Sequence, residues 1–339
     1  MKRWQTSCTP QVHKGIFLAA LLALTLVCAL LSVCFGAVWI APADLISALF
    51  SGGETAAGQI ILFARLPRVC GCLLAGAALS VSGAVIQAVL HNPLAAPNII
   101  GVNSGAGLLV ALCCALWPAV VNFVPFAAFL GALGGVLLVL FIAERTGASR
   151  MTLVLAGVAV SAVFSAGIDA VVTFVPEALN GYSDFRIGGM ANLSMTRIAP
   201  AFWIILAALL LVFSLAGELD ILLLGTETAR SLGLPAKPLR LILLALAAAL
   251  AGAAVSFAGL LGFVGLIVPH MMRRLLGEES LPLLVASALG GAALLTGCDL
   301  LSRLIFAPYE LPVGIVLALA GGPFFIWLLV RQRGGRIHD

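Results

Sequence analysis

The sequence predicts an all-α, polytopic membrane protein, and three observations support that reading. Of the 339 residues, 62% are hydrophobic and only 9% charged, whereas a soluble domain carries about 25% charged residues to face water. The mean hydropathy is +1.18. The apolar residues also run in long unbroken stretches rather than alternating. That pattern favours helices over the strands of a closed barrel, the other structure that satisfies its backbone in lipid. The same figures exclude a cytosolic enzyme, a nucleic-acid-binding domain and a disordered chain.

A hydrocarbon core about 30 Å thick takes roughly 20 apolar residues per helix. The first such stretch, Ile16–Val38, follows Met1, Lys2 and Arg3 and so also reads as a signal peptide. It is longer than the usual signal core of about 7–15 residues and lacks a small-x-small cleavage site, which favours a retained helix. Val69–Leu90 is introduced by Arg65-Leu66-Pro67-Arg68, and Pro97–Leu116 follows a turn beginning at His91. Val124–Ala143, Met151–Val172 and Ile198–Ala216 come next. Beyond a polar segment at 217–238 lie Leu239–Leu261, Leu281–Cys298 and Pro312–Val330, with the short apolar stretch Gly262–Met272 between the first two.

Charge placement decides whether that short stretch crosses. With ten crossings and a cytoplasmic N-terminus, the inner segments hold Lys2, Arg3, Lys14, Arg145, Arg150, Arg230, Lys237, Arg240, Arg273, Arg274, Arg331, Arg333 and Arg336. The outer segments hold only Arg65, Arg68, Arg186, Arg197 and Arg303. The excess of inner cations favours this orientation, whereas nine crossings would put Arg273 and Arg274, or the C-terminal cluster, outside. The expected organisation is a cytoplasmic segment 1–14, one ten-helix transmembrane domain 15–332 and a cytoplasmic tail 333–339.

Chemistry is sparse. The chain has no Gly-x-x-x-x-Gly-Lys-Ser/Thr phosphate loop and no Ser/His/Asp constellation, so it is expected to be no enzyme and to carry no ATPase site of its own. Its eight cysteines form no Cys-x-x-Cys and read as small apolar residues in lipid, with no metal or cofactor implied. The intramembrane carboxylates are Asp169 and Asp299, too few for a proton or sodium relay. An ion-coupled secondary carrier is therefore the remoter alternative.

Four segments carry unusual residues. Arg65 and Arg68 lie three apart, on one helix face. Together with Arg303 they could offer bidentate forks to carboxylates of an external partner; alternatively they snorkel, or Arg303 pairs with Asp299 at i,i+4. The turn from His91 through Asn92, Pro93 and Leu94 to Pro97 cannot continue as a helix. It places Asn92 either at an inner constriction, facing Ser149, or in an ordinary Asn-Pro turn. In the polar inner segment, Thr226 to Gly233 reads as a short helix with Thr226 as N-cap, Glu227 at its positive end and Gly233 at its C-terminal cap. So short a helix must pack on something, its own bundle or a cytoplasmic partner. Finally, Gly262–Arg274, punctuated by glycine and Pro269, is the kind of broken helix that marks a transport pathway; His270 sits at its inner end.

Taken together, these segments resemble the FecCD family of permease subunits from binding-protein-dependent ABC importers. The resemblance is carried by Arg65-Leu66-Pro67-Arg68, Gly76-Ala77-Ala78-Leu79 with Ser82-Gly83 and Gln87, and Asn92-Pro93-Leu94-Ala95. It continues through Gly101 with Ser104-Gly105-Ala106-Gly107, Gly262-Phe263-Val264-Gly265-Leu266 to Pro269-His270 and Arg273, and Glu310-Leu311-Pro312-Val313-Gly314 to Gly322-Pro323-Phe324-Phe325. It runs in order from about residue 15 to 332. It implies a type II ABC importer permease in the bacterial cytoplasmic (inner) membrane. The implied partners are a second permease subunit, identical or paralogous, two cytoplasmic ATPase subunits and an external substrate-binding protein; no nucleic acid is involved. The cargo it implies is a ferric siderophore first, with haem, cobalamin or an oxyanion as alternatives. By the same resemblance, Arg65, Arg68 and Arg303 receive acidic residues of the binding protein. The segment Thr226, Glu227, Ala229, Arg230, Leu232 and Gly233 docks the ATPase. Gln87, Asn92, Pro93, Leu94, Ser149, Pro269 and His270 are pathway or gate candidates. His91 stands where family members often carry Arg or Glu.

Overall fold

A computed structural model describes residues 11–36, 55–118, 121–146, 150–191, 193–305, 307 and 309–333. Among these residues the regular secondary structure is all helical, with no strand. The helices are α1 (Gln11–Cys34), α2 (Leu66–Leu90), α3 (Val102–Leu116), α4 (Val124–Arg145), α5 (Arg150–Phe174), α6 (Ala178–Ile187) and α7 (Met195–Ser214). They continue as α8 (Ala216–Leu223), α9 (Thr226–Ser231), α10 (Ala236–Ala258), α11 (Val264–Leu276), α12 (Ser280–Leu304) and α13 (Val313–Arg333).

Among the described residues, seven helices are long and apolar enough to cross a membrane, those built on α1, α2, α4, α5, α7, α10 and α12. The apolar helices α3 and α13 are shorter over their described apolar parts. The third expected crossing starts differently from the sequence reading. Pro97–Ile100 form a 3-10 turn, Gly101 reverses direction at φ 90°, and the α-helix begins only at Val102. The cause is local: Pro97 suits a helical start, but Gly101 turns into the left-handed region directly after the 3-10 turn, so the α-helix begins only beyond it. At 13 residues, α11 spans about 20 Å at 1.5 Å per residue.

Helix α2 is the axis of the bundle, buried along most of its length and packed on α12, α10 and α11. Such contact without large apolar knobs needs small residues, and the glycines supply them. A Cβ on Gly83 would lie 1.8 Å from the Gly265 carbonyl oxygen of α11. Two pairs of glycines at small-x-x-x-small spacing, Gly101 with Gly105 and Gly131 with Gly135, face one another across α3 and α4. There a Cβ on Gly105 would lie 2.2 Å from Gly131 O and one on Gly135 2.6 Å from Gly101 O. By contrast α5 leaves Met151, Leu155, Val158 and Val163 exposed.

Candidate functional site

Polar side chains gather at the two ends of α2, and its 25 residues set them about 37 Å apart. At the first end, a π-helical turn, Ile60–Arg65, feeds α2, and Pro67 sits in the first turn where its missing N–H is harmless. This brings Arg65 and Arg68 beside Arg303 near the C-terminus of α12. The three arginines form one cluster, two of them buried within it. Arg65 is 6% and Arg303 4% exposed. Arg65 Nη1 donates to the carbonyls of Val33 (2.6 Å) and Cys34 (2.9 Å) at the end of α1. Arg303 donates to the Ser32 and Phe35 carbonyls, each at 3.2 Å, and lies 3.2 Å from Asp299. Arg68 Nε donates to both Asp299 carboxylate oxygens at 3.1 and 3.0 Å, while its Nη1 reaches Glu310 at 2.6 Å.

Asp299 has no exposed surface, so the i,i+4 pair with Arg303 is real and is shared with Arg68. A carboxylate buried between two guanidiniums must be paired, since an isolated charge there would be prohibitive. The helix ends supply the remaining acceptors, because the last carbonyls of α1 have no intrahelical donor. Sequence spacing exposed the Arg303–Asp299 pair but not the bond from Arg68, 231 positions away. Beside this cluster opens a cavity of 610 Å³, walled by Arg68, Glu310, Arg197, Glu177, Asp184 and Trp117 among others. Gly188, Gly189, Ala258 and Gly259 also line it, on two segments joined by backbone bonds from Gly189 N–H to Ala258 O (3.0 Å) and from Leu260 N–H to Phe185 O (2.9 Å).

At the second end, α2 stops at His91, held in the left-handed region at φ 48°. The His91 ring contacts the Leu223 carbonyl at 3.2 Å. Asn92 builds its own turn: its side-chain oxygen accepts from Leu94 N–H at 2.9 Å. This favours the ordinary Asn-Pro turn over a side chain aimed into a constriction. Pro93, Leu94 and His270 meet in a narrow crevice with Leu266, Phe324 and Phe325. Ser149 lies outside the described residues.

Gln87 is not on an opening, being only 2% exposed. Its role follows from Pro269. A proline inside α11 has no N–H to give the carbonyl four residues back, Gly265. Gln87 Nε2 points at that carbonyl (3.4 Å) and at Leu266 O (3.3 Å), while its Oε1 accepts from Arg273 Nη1 at 2.9 Å. One amide thus mends the proline break and ties α2 to α11. Phe263, at φ 66°, starts α11 and rests on the bare backbone of Gly321 in α13.

Helix α9 lies at this second end too, opposite the arginine cluster. Its cap differs from the sequence expectation: Gly225 (φ 110°) is the N-cap, and Thr226 is the first helical residue. The Thr226 hydroxyl instead accepts from Arg240 Nη2 at 3.2 Å. Gly225 wins because the chain must turn through a φ that threonine avoids. Gly233, at φ 84°, ends the helix as expected: Gly233 N–H bonds Arg230 O and Leu234 N–H bonds Ala229 O, both at 2.9 Å. Only Ala229 is buried, whereas Glu227, Thr228, Arg230, Ser231 and Leu232 are exposed.

With this geometry in hand, comparison places the chain among known permeases. It is 36% identical over 326 residues (95% of this chain, 97% of the relative) to the Fe(3+)-citrate import system permease protein YfmE of Bacillus subtilis. It is 38% identical over 286 residues (82% and 85%) to the hemin transport system permease protein HmuU of Yersinia pestis. A solved inward-facing metal-chelate type ABC transporter superposes with a TM-score of 0.84 at 28% identity, covering 94% of this chain and 99% of that one. Residues 24–331 match the FecCD transport family, nearly the whole helical bundle, and the chain belongs to that family.

Proposed function

We propose that this chain is the membrane-spanning permease subunit of an ABC importer that carries an iron complex, a ferric siderophore before haem, cobalamin or an oxyanion. The observation that carries the reading is α9. It is a six-residue helix anchored by one buried alanine, with its other side bare. Such a helix has no stability of its own, and its exposed face suits a groove on a separate ATPase subunit.

The rest of the reading follows from that attachment. The protein crosses the bilayer ten times, α11 completing the count, with both termini, the 217–238 segment and the second end of α2 in the cytoplasm. Residues 1–14 and 333–339 flank a single transmembrane domain. Its partners are a second permease, identical or paralogous, two ATPase subunits and an external substrate-binding protein that docks on the arginine-cluster end. Force arriving at α9 passes through the Arg240 contact into α10, and the two-subunit pathway alternates between its openings. Pro93, Leu94 and His270 lie where an inner gate would close, and Gln87, Asn92 and Pro269 fix the backbone around it.

Affinity purification of the chain should bring down an ATPase and a binding protein, and proteoliposomes of that complex should take up the ferric ligand of the binding protein only with ATP inside. Uptake by the chain alone on an ion gradient would establish the secondary carrier instead.

A further inference from the structure

We propose that Glu310 is a resident stand-in for the partner's carboxylate: it holds on Arg68 the place that an acidic residue of the external binding protein takes, and the exchange releases the turn at 309–312. The inference rests on the docking reading above and deepens it.

The three arginines are not equivalent. Arg65 and Arg303 are turned inward onto the carbonyls of Ser32, Val33, Cys34 and Phe35 at the end of α1. Arg68 has two carboxylate partners of opposite character. Asp299 is fully buried and shared with Arg303, so it cannot leave without stranding charge in the bundle. Glu310 keeps a side chain 41% exposed and can move into water. The guanidinium offers its donors in a fixed fork, so an incoming carboxylate can make the same charge-assisted bond at Nη1 that Glu310 makes now. The swap conserves the number of ion pairs and leaves Asp299 in place.

What changes is the segment Glu310 belongs to. Arg68, Glu310, Leu311 and Pro312 together wall the 610 Å³ cavity. Apart from its junction with α13, where Ile315 N–H bonds Pro312 O at 3.0 Å, the turn's other described hydrogen bond is a long one, Leu311 N–H to Ser302 O at 3.3 Å. It leads directly into α13, whose Gly314 rests on the Ile187 carbonyl at the end of α6. Losing the Arg68 bond therefore loosens one wall of the cavity at the moment a partner arrives.

The test uses the binding protein that co-purifies with the complex. Glu310→Gln removes the internal competitor, so binding should tighten by about two- to fivefold, the range a surface ion pair is worth; Arg68→Glu should weaken it. Because the chain has two tyrosines, Tyr182 buried and Tyr309 80% exposed, 3-fluorotyrosine gives a second readout. The Tyr309 resonance, assigned by its loss in Tyr309→Phe, should move on docking toward the position it holds in free Glu310→Gln. Unchanged or weaker binding by Glu310→Gln, with Arg68→Glu still weakening it, overturns the exchange and leaves the docking reading standing. Equal binding by both variants overturns the docking reading as well.

Discussion

Replacing Gly83 by alanine tests whether α2 and α11 act as one body. A Cβ on Gly83 falls 1.8 Å from Gly265 O, and a carbon–oxygen contact needs about 3.3 Å, so the helices must part by roughly 1.5 Å. The oxygen belongs to backbone and cannot swing aside. The displacement acts one turn from Gln87, whose bonds to Gly265 O, Leu266 O and Arg273 already span 3.4, 3.3 and 2.9 Å. Overpacking costs about 1–3 kcal/mol and each hydrogen bond lost about 1 kcal/mol, so the expected destabilisation is roughly 3–5 kcal/mol. Thermal unfolding of the purified complex in detergent should show it. Gly134→Ala is the control, since nothing lies within 4 Å of its Cβ and alanine is favoured over glycine in a helix. In proteoliposomes, Gly83→Ala should also lower uptake per ATP hydrolysed. Unchanged stability and coupling in Gly83→Ala would refute the reasoning.

Three further expectations share the same logic. Asp299→Asn leaves two guanidiniums facing a neutral amide and should cost about 3–5 kcal/mol, much of it recovered in the Asp299→Asn/Arg303→Met double variant; denaturant titration of single and double variants measures both. Arg230→Ala removes an exposed pair with Glu227 at 3.5 Å and should change stability by less than about 0.5 kcal/mol. Ligand-stimulated ATPase activity of the complex should nevertheless fall several-fold; full activity would remove α9 from the coupling route. Asn92→Ala deletes the bond to Leu94 N–H and should destabilise by about 1 kcal/mol, with Asn92→Asp retaining most of it in the same melt.

The long helices were legible because lipid imposes one rule, a run of apolar residues, and the chain obeys it. Gly233 was legible as a cap because the requirement is local. What was not legible rests mostly on contacts between residues far apart in sequence, the N-cap at Thr226 excepted, which its neighbour Gly225 takes. Gln87 looked like a lining residue, but the carbonyl it serves is freed by Pro269, and nothing near Gln87 announces that vacancy. The charge of the arginines is visible in the sequence, whereas the carbonyls of Ser32, Val33, Cys34 and Phe35 that take up Arg65 and Arg303 are not.

The central position of α2 has a consequence for biosynthesis. Its polar groups find their partners late: Ser82 bonds Ala247 O, Gln87 bonds Gly265 O and Arg68 bonds Asp299, 165 to 231 residues downstream. At translation rates of about 5–20 residues per second, that is a wait of roughly ten to forty seconds. During it the helix must shelter in the insertion machinery or beside a chaperone before the later segments are laid around it. The polar contacts of α2 are thus completed only once the last third of the chain is in place.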